Sequence, residues 1–137
     1  MIVYLDTSVV LRHLLGQAEA LEADDWQRAY SSEILGLEAR RVIDRMRLES
    51  ALDDDGVARA HEALAHMEQS IHCMFLTRPV LRRAALPMPT AVKTLDAIHL
   101  ASALLFQERT GDSLTFATHD LQQATCARAL GFKIIGL

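Results

Sequence analysis

The strongest constraint on how this chain folds is a short apolar run that stops at an acid. Ile2, Val3, Tyr4 and Leu5 follow one another without a polar residue, and Asp6 ends the run. Such a run suits a strand buried on both faces, as in the middle of a parallel sheet. Thr7 and Ser8 come next, and then Val9, Val10, Leu11 and Leu14 recur at helical spacing. The pattern places Asp6 at the C-terminal tip of a strand, where a helix begins. In open α/β sheets that edge is where ligands bind. Asp and Ser are also good helix N-caps. On this stretch alone, a capping role and a site role are both open for Asp6.

The rest of the chain repeats the strand-then-helix pattern. An amphipathic helix is expected over 17–27, where Ala18, Leu21 and Trp26 punctuate a polar, acidic segment. Ala29 to Ser32 reads as a second short strand, with Ser31 or Ser32 capping the next helix. That helix, 33–48, carries Ile34, Leu35, Leu37, Ala39, Val42, Ile43 and Met46 at helical spacing. Glu38 stands in the row of Ile34 and Val42, where an unpaired carboxylate is costly to bury. It is either an edge residue paired with Arg41 or Arg45, or part of a site. Glu33 reads as an acid that offsets the helix dipole.

Asp53, Asp54 and Asp55 read as a turn and an acidic helix start. Val57, Ala60, Leu64, Met67 and Ile71 then mark a helix that forms a hairpin with the previous one. His61 and His66 fall on it as surface groups. Ile71 to Leu76 is expected to be a third buried strand, and Thr77 to cap a helix with Pro79 just inside it. Pro87 and Pro89 make an extended connection. Thr94 is the expected cap of a nearly apolar helix that places Asp96, His99, Leu100 and Ala103 on one face. The helix dipole there would keep Asp96 ionised, as a metal ligand must be. For His99 a packed, hydrogen-bonded imidazole is favoured over a catalytic one. Leu114 to Ala117 is a fourth strand that runs into Thr118, His119 and Asp120. A last helix from Leu121 closes at Gly131, and Phe132 to Ile135 is a fifth strand. The alternation predicts a single α/β domain over 1–137 with a parallel sheet.

Composition narrows the function. Half of the residues are apolar, which is enough for a real core, and no apolar run approaches a membrane span. The N-terminus lacks the basic region of a signal peptide. Cys73 and Cys126 sit in apolar surroundings without a paired-cysteine motif, as expected of free thiols in the cytoplasm. The net charge of −4, from 14 basic and 18 acidic residues, argues against a simple electrostatic nucleic-acid binder. An acidic site that recruits divalent cations remains compatible with it.

Asp6 and Asp120 follow strands, Asp96 starts a helix, and Glu38 interrupts an apolar helix row. Strand ends and helix starts meet at one edge of a parallel sheet, so these four acids can converge. Carboxylates brought together disfavour one another's ionisation. Mg²⁺, a hard cation that takes oxygen ligands, resolves the conflict. There is no Cys/His zinc pattern, no glycine-rich phosphate loop and no G-x-S-x-G nucleophile motif.

Four stretches together resemble the PIN-domain family, and within it the VapC-type toxins of toxin–antitoxin pairs. They are YLDTSVVL at 4–11, SSEILGLEARRVI at 31–43, TLDAIHLASAL at 94–104 and FATHDLQQATCARALGFKII at 116–135. They occur in the family's order and cover most of the chain. The resemblance implies a three-layer α/β/α sandwich with a five-stranded parallel sheet, and a Mg²⁺- or Mn²⁺-dependent ribonuclease. The family's acids fall on Asp6, Glu38, Asp96 and Asp120, the second on Glu38 rather than Glu33 because LEAR carries the matching context. Ser8 and Thr118 match hydroxyl positions that help hold the site. RNA is the implied substrate. The helical hairpin of 33–70 resembles the surface that binds the antitoxin and forms a homodimer.

A non-catalytic PIN-like module that binds RNA or a protein is the alternative reading, and four acids in place speak against it. A phospho-acceptor receiver domain expects an early acid pair and a lysine at a late strand end. Asp6 has no acid beside it, and Lys93 and Lys133 are the late lysines.

Overall fold

The first apolar run is the central strand of the sheet. In the computed structural model, which describes residues 1–137, β1 (Ile2–Leu5) leads into α1 (Thr7–Leu14). Then come β2 (Arg28–Ser32), the hairpin helices α2 (Ile34–Leu48) and α3 (Asp54–Ser70), and β3 (His72–Met74). The chain continues through α4 (Arg78–Ala84), α5 (Thr94–Thr110), β4 (Thr115–Ala117), α6 (Leu121–Ala129) and β5 (Lys133–Ile135). The sheet order is β3-β2-β1-β4-β5, with every neighbouring pair parallel.

Successive side chains of β1 serve opposite layers. Val3 and Leu5 pack with Val9, Val10, Leu35, Ala39, Ile43, Ala60 and Leu64 from α1, α2 and α3. Tyr4 packs on the other side with Leu100 and Ala103 of α5 and Cys126 and Ala127 of α6. This is the expected three-layer α/β/α sandwich, and Tyr4 is stacked on Phe116 at 5.3 Å. The chain builds outward from β1 first to β2 and β3, then returns to β4 and β5. The reversal puts a crevice at the C-terminal ends of β1 and β4, the place where such sheets bind ligands.

Three local expectations need correction. Residues 17–27 form no amphipathic helix, only a single 3-10 turn at Ala23–Asp25. Only Leu21 and Trp26 among the segment's apolar side chains are large, too little to offset the ordering of a helix, and they instead pack individually on the core. β3 is a short, partly exposed edge strand rather than a buried one, because β2 is its sole neighbour. Lys93, which makes no side-chain cap hydrogen bond, occupies the cap position of α5, and Thr94 is the first helical residue. The two candidate caps of α2 divide the work. Ser32 accepts from the Ile34 N–H at 3.2 Å, while Ser31 donates to the Leu5 carbonyl at 2.7 Å and ties β2 to β1.

Candidate active site

Asp6 caps α1, accepting from the Ser8 N–H at 3.0 Å. That bears out the capping reading, but its other carboxylate oxygen is engaged from a distant element. The Gln123 side-chain amide donates to Asp6 Oδ1 at 3.1 Å. Asp6 is almost wholly buried, with 5% of its surface exposed. Gln123 Oε1 accepts from the Thr118 hydroxyl at 2.7 Å, and Thr118 Oγ1 accepts from the Asp120 N–H at 3.0 Å. Asp120 caps α6 through the Gln123 N–H at 2.8 Å. Ser8 Oγ accepts from the His119 N–H at 3.1 Å and lies 3.4 Å from Thr118 Oγ1. The two hydroxyl positions therefore join the loops that follow β1 and β4.

Glu38 pairs with neither Arg41 nor Arg45. It turns inward from α2, where it accepts from the Thr7 hydroxyl at 2.8 Å and lies 2.7 Å from His99 Nε2. Arg41 instead stands 3.9 Å from Asp44. His99 has no exposed surface. Its Nδ1 is 2.8 Å from the Tyr4 hydroxyl, and its Nε2 is also 3.7 Å from Asp6. A carboxylate accepts and cannot donate, so Glu38 places a proton on Nε2, and in the neutral ring Nδ1 accepts from Tyr4. Burial pulls this imidazole toward neutrality. The Glu38 hydrogen bond and the charges of Asp6, Glu38 and Asp96 outweigh burial and raise its pKa above the usual value.

Asp96 is half-buried in the first turn of α5. Its pKa is raised to about 6, by burial and by the charges of Asp6, Asp120 and Glu38. The helix dipole was expected to keep it ionised; burial and like charges work against this, yet with a pKa of about 6 the group is still mostly ionised at neutral pH. The electrostatic coupling ties all four sequence-predicted acids to one locality. Glu33 belongs elsewhere, accepting from the Leu76 N–H at 2.8 Å and fastening α2 to the end of β3.

Sequence reasoning missed Thr7, Gln123 and the Tyr4 hydroxyl. For Gln123 a signal existed: it is a polar residue on the row of Ala127, on the apolar side of the last helix. Thr7 and Tyr4 flank Asp6 without any pattern of their own.

Residues 3–129 match the PIN domain. The chain belongs to the PIN-domain family. This PIN domain is 28% identical over 131 residues to "Ribonuclease VapC47" of Mycobacterium tuberculosis (strain CDC 1551 / Oshkosh), covering 95% of this chain and 93% of that one. Its fold is similar to that of a chain in a toxin–antitoxin complex from Klebsiella pneumoniae, with a TM-score of 0.63, 18% identity and 88% of each chain covered. It is likewise similar to that of a chain in VapBC2 from Rickettsia felis bound to a DNA fragment from their promoter. There the TM-score is 0.62 and the identity 9%, over 99% of this chain and 98% of that one.

The donor set of this PIN domain suits a hard divalent cation. It consists of carboxylates, three of which, Asp6, Glu38 and Asp120, accept from neutral donors, with mutual repulsion that a cation would relieve. No three His, Cys, Asp or Glu side chains lie close enough together to form a ready-made metal cage.

Proposed function

We propose that this PIN domain is a Mg²⁺- or Mn²⁺-dependent endoribonuclease and the toxin of a toxin–antitoxin pair. The observation that carries the reading is the gathering of acids at the sheet edge: Gln123 holds both Asp6 and Asp120, and His99 Nε2 lies 2.7 Å from Glu38 and 3.7 Å from Asp6. A site that gathers like charges at a ligand-binding sheet edge is built for a cation. The likeness to a VapC ribonuclease over nearly the whole chain supports the same conclusion.

Asp6, Glu38 and Asp96 would hold the ion, with Asp120 as a further or water-mediated ligand. A divalent ion supplies Lewis acidity, which acidifies water and offsets the charge that grows on a phosphodiester. The protein's own contribution is placement. The Ser8 N–H fixes one oxygen of Asp6, and the Thr7 hydroxyl and His99 fix Glu38. The Ser8 N–H and the Thr7 hydroxyl hold their acids without adding a counter-charge.

The exposed side of α2 carries Leu37 and Leu48, 62% and 67% exposed. This side of the hairpin is the proposed antitoxin surface, and a homodimer is the proposed assembly. No helix is long and apolar enough to cross a membrane, and the cytoplasm is the proposed compartment. The test is incubation of the purified protein with single-stranded RNA, with Mg²⁺ or Mn²⁺ and with chelator. Metal-dependent internal cleavage is expected. Binding without cleavage under every metal condition would instead identify a non-catalytic RNA-binding module.

A further inference from the structure

We infer that Gln123 is a positioning residue that locks Asp6 and the Asp120 loop together across the β1–β4 crevice, presenting both carboxylates to one cation. Its activity arm rests on the ribonuclease reading; the placement itself does not. Gln123 has no exposed surface. Burying a primary amide is costly unless its polar atoms find partners. Here three of its groups engage the site. Its side-chain N–H donates to Asp6 at 3.1 Å, its backbone N–H donates to Asp120 at 2.8 Å, and its carbonyl oxygen accepts from Thr118 at 2.7 Å.

The direction of this bridge is set by chemistry. Ionised Asp6 can only accept, so the amide nitrogen must face it, and the amide oxygen must face Thr118. Thr118 then spends its single proton on Gln123, and its oxygen remains free to accept the Asp120 N–H at 3.0 Å. One reorientation of the amide would break both side-chain bonds at once. The bridge spans 117 positions of sequence and joins the first acid to the last.

Charge explains why an amide suits this position. An arginine or lysine would neutralise Asp6 and compete with the cation. A glutamate would add another like charge beside it. An apolar side chain would fill the space but leave Asp6 Oδ1 without its donor, with only the Ser8 N–H on the other oxygen. Glutamine orients the carboxylate and leaves its charge intact, as outer partners of metal ligands commonly do.

The test uses Gln123→Met, which keeps the packing and removes both side-chain bonds. In metal-free protein, thermal unfolding of Gln123→Met, Asp6→Ala and the double variant forms a cycle. Non-additive midpoint shifts are expected. Calorimetric titration with Mn²⁺ alone should show affinity lowered about 10-fold or more. On RNA, kcat should fall with KM unchanged. Additive shifts would overturn the inference. So would wild-type Mn²⁺ affinity in folded Gln123→Met, because the amide would then be merely structural. If Gln123→Met does not fold, Thr118→Val releases the amide from its other side and the same readouts decide. A wild-type chain that neither binds Mn²⁺ nor cuts RNA would sink the ribonuclease reading, and the metal-free cycle would still decide whether Gln123 fixes Asp6.

Discussion

Glu38 Oε1 lies 2.7 Å from Nε2 of His99, 61 positions further along the chain. The far side of that imidazole is held by Tyr4, from the central strand. A carboxylate on α2 is thus oriented from the middle of the sheet, through a ring with no solvent contact. Removing the hydroxyl should be felt at Glu38.

Tyr4→Phe leaves Nδ1 of His99 buried without a partner. The expected loss of stability is about 1–3 kcal/mol, read by chemical denaturation. RNA cleavage should fall as well, because Glu38 loses its fixed partner. Unchanged stability and cleavage would mean that the Tyr4–His99 bond does not orient the site.

Asp6→Asn and Asp96→Asn should each lower RNA cleavage by about 100-fold or more, from lost electrostatic stabilisation of the transition state. Glu38→Gln should behave in the same way. Circular dichroism should show folded protein in all three, since these changes relieve repulsion. Asp54→Asn, on the exposed start of α3, should cut RNA normally. Full activity in folded Asp6→Asn or Asp96→Asn would refute the proposed mechanism.

Asp96 gives metal-free protein a distinctive pH response. Its folded pKa is about 6, against about 3.9 for an unperturbed Asp. The folded state therefore holds this proton more tightly than the unfolded state. The resulting stabilisation is present at low pH and is lost as pH rises from about 4 through about 6. Melting temperatures of wild type and Asp96→Asn should diverge across that window, with the wild type losing ground as pH rises. Mn²⁺ at neutral pH should restore the wild type by binding the native state. Parallel melting curves across the window would contradict the coupling.

A cognate antitoxin should cover the hairpin. Hydrogen exchange on the complex is expected to slow along α2 and α3, where Leu37 and Leu48 are exposed. Protection confined to α5 and α6 would place the partner elsewhere.

Much of this architecture could be read from periodicity. β1 was recognisable because Val3, Tyr4 and Leu5 are all buried, so both layers leave their mark on one apolar run. The four acids were legible for a related reason: each breaks or ends a regular pattern. What escaped was set by distant contacts. Residues 17–27 carry a weak helical pattern that two large apolar side chains, Leu21 and Trp26, could not sustain. β3 reads as apolar, yet whether a strand lies at the edge or the centre depends on the order of the whole sheet. Glu38 seemed to have two arginines within reach on its own helix, and its partners came instead from α1 and α5. Periodicity describes neighbours along an element and says little about residues that meet across the fold.

Strand order also governs when the site comes into being. The Asp6 N–H is bonded to the Ala117 carbonyl at 2.9 Å, and β1 has β4 as one of its two neighbours. A ribosome adds about 5–20 residues per second, so Asp6 waits on the order of ten seconds for that partner to be made. Throughout that interval the growing polypeptide has its first acid but no crevice to place it in. Abandoned translation products that stop short of β4 would be harmless to nearby RNA. The proposed site is assembled only once α6 has packed onto β1.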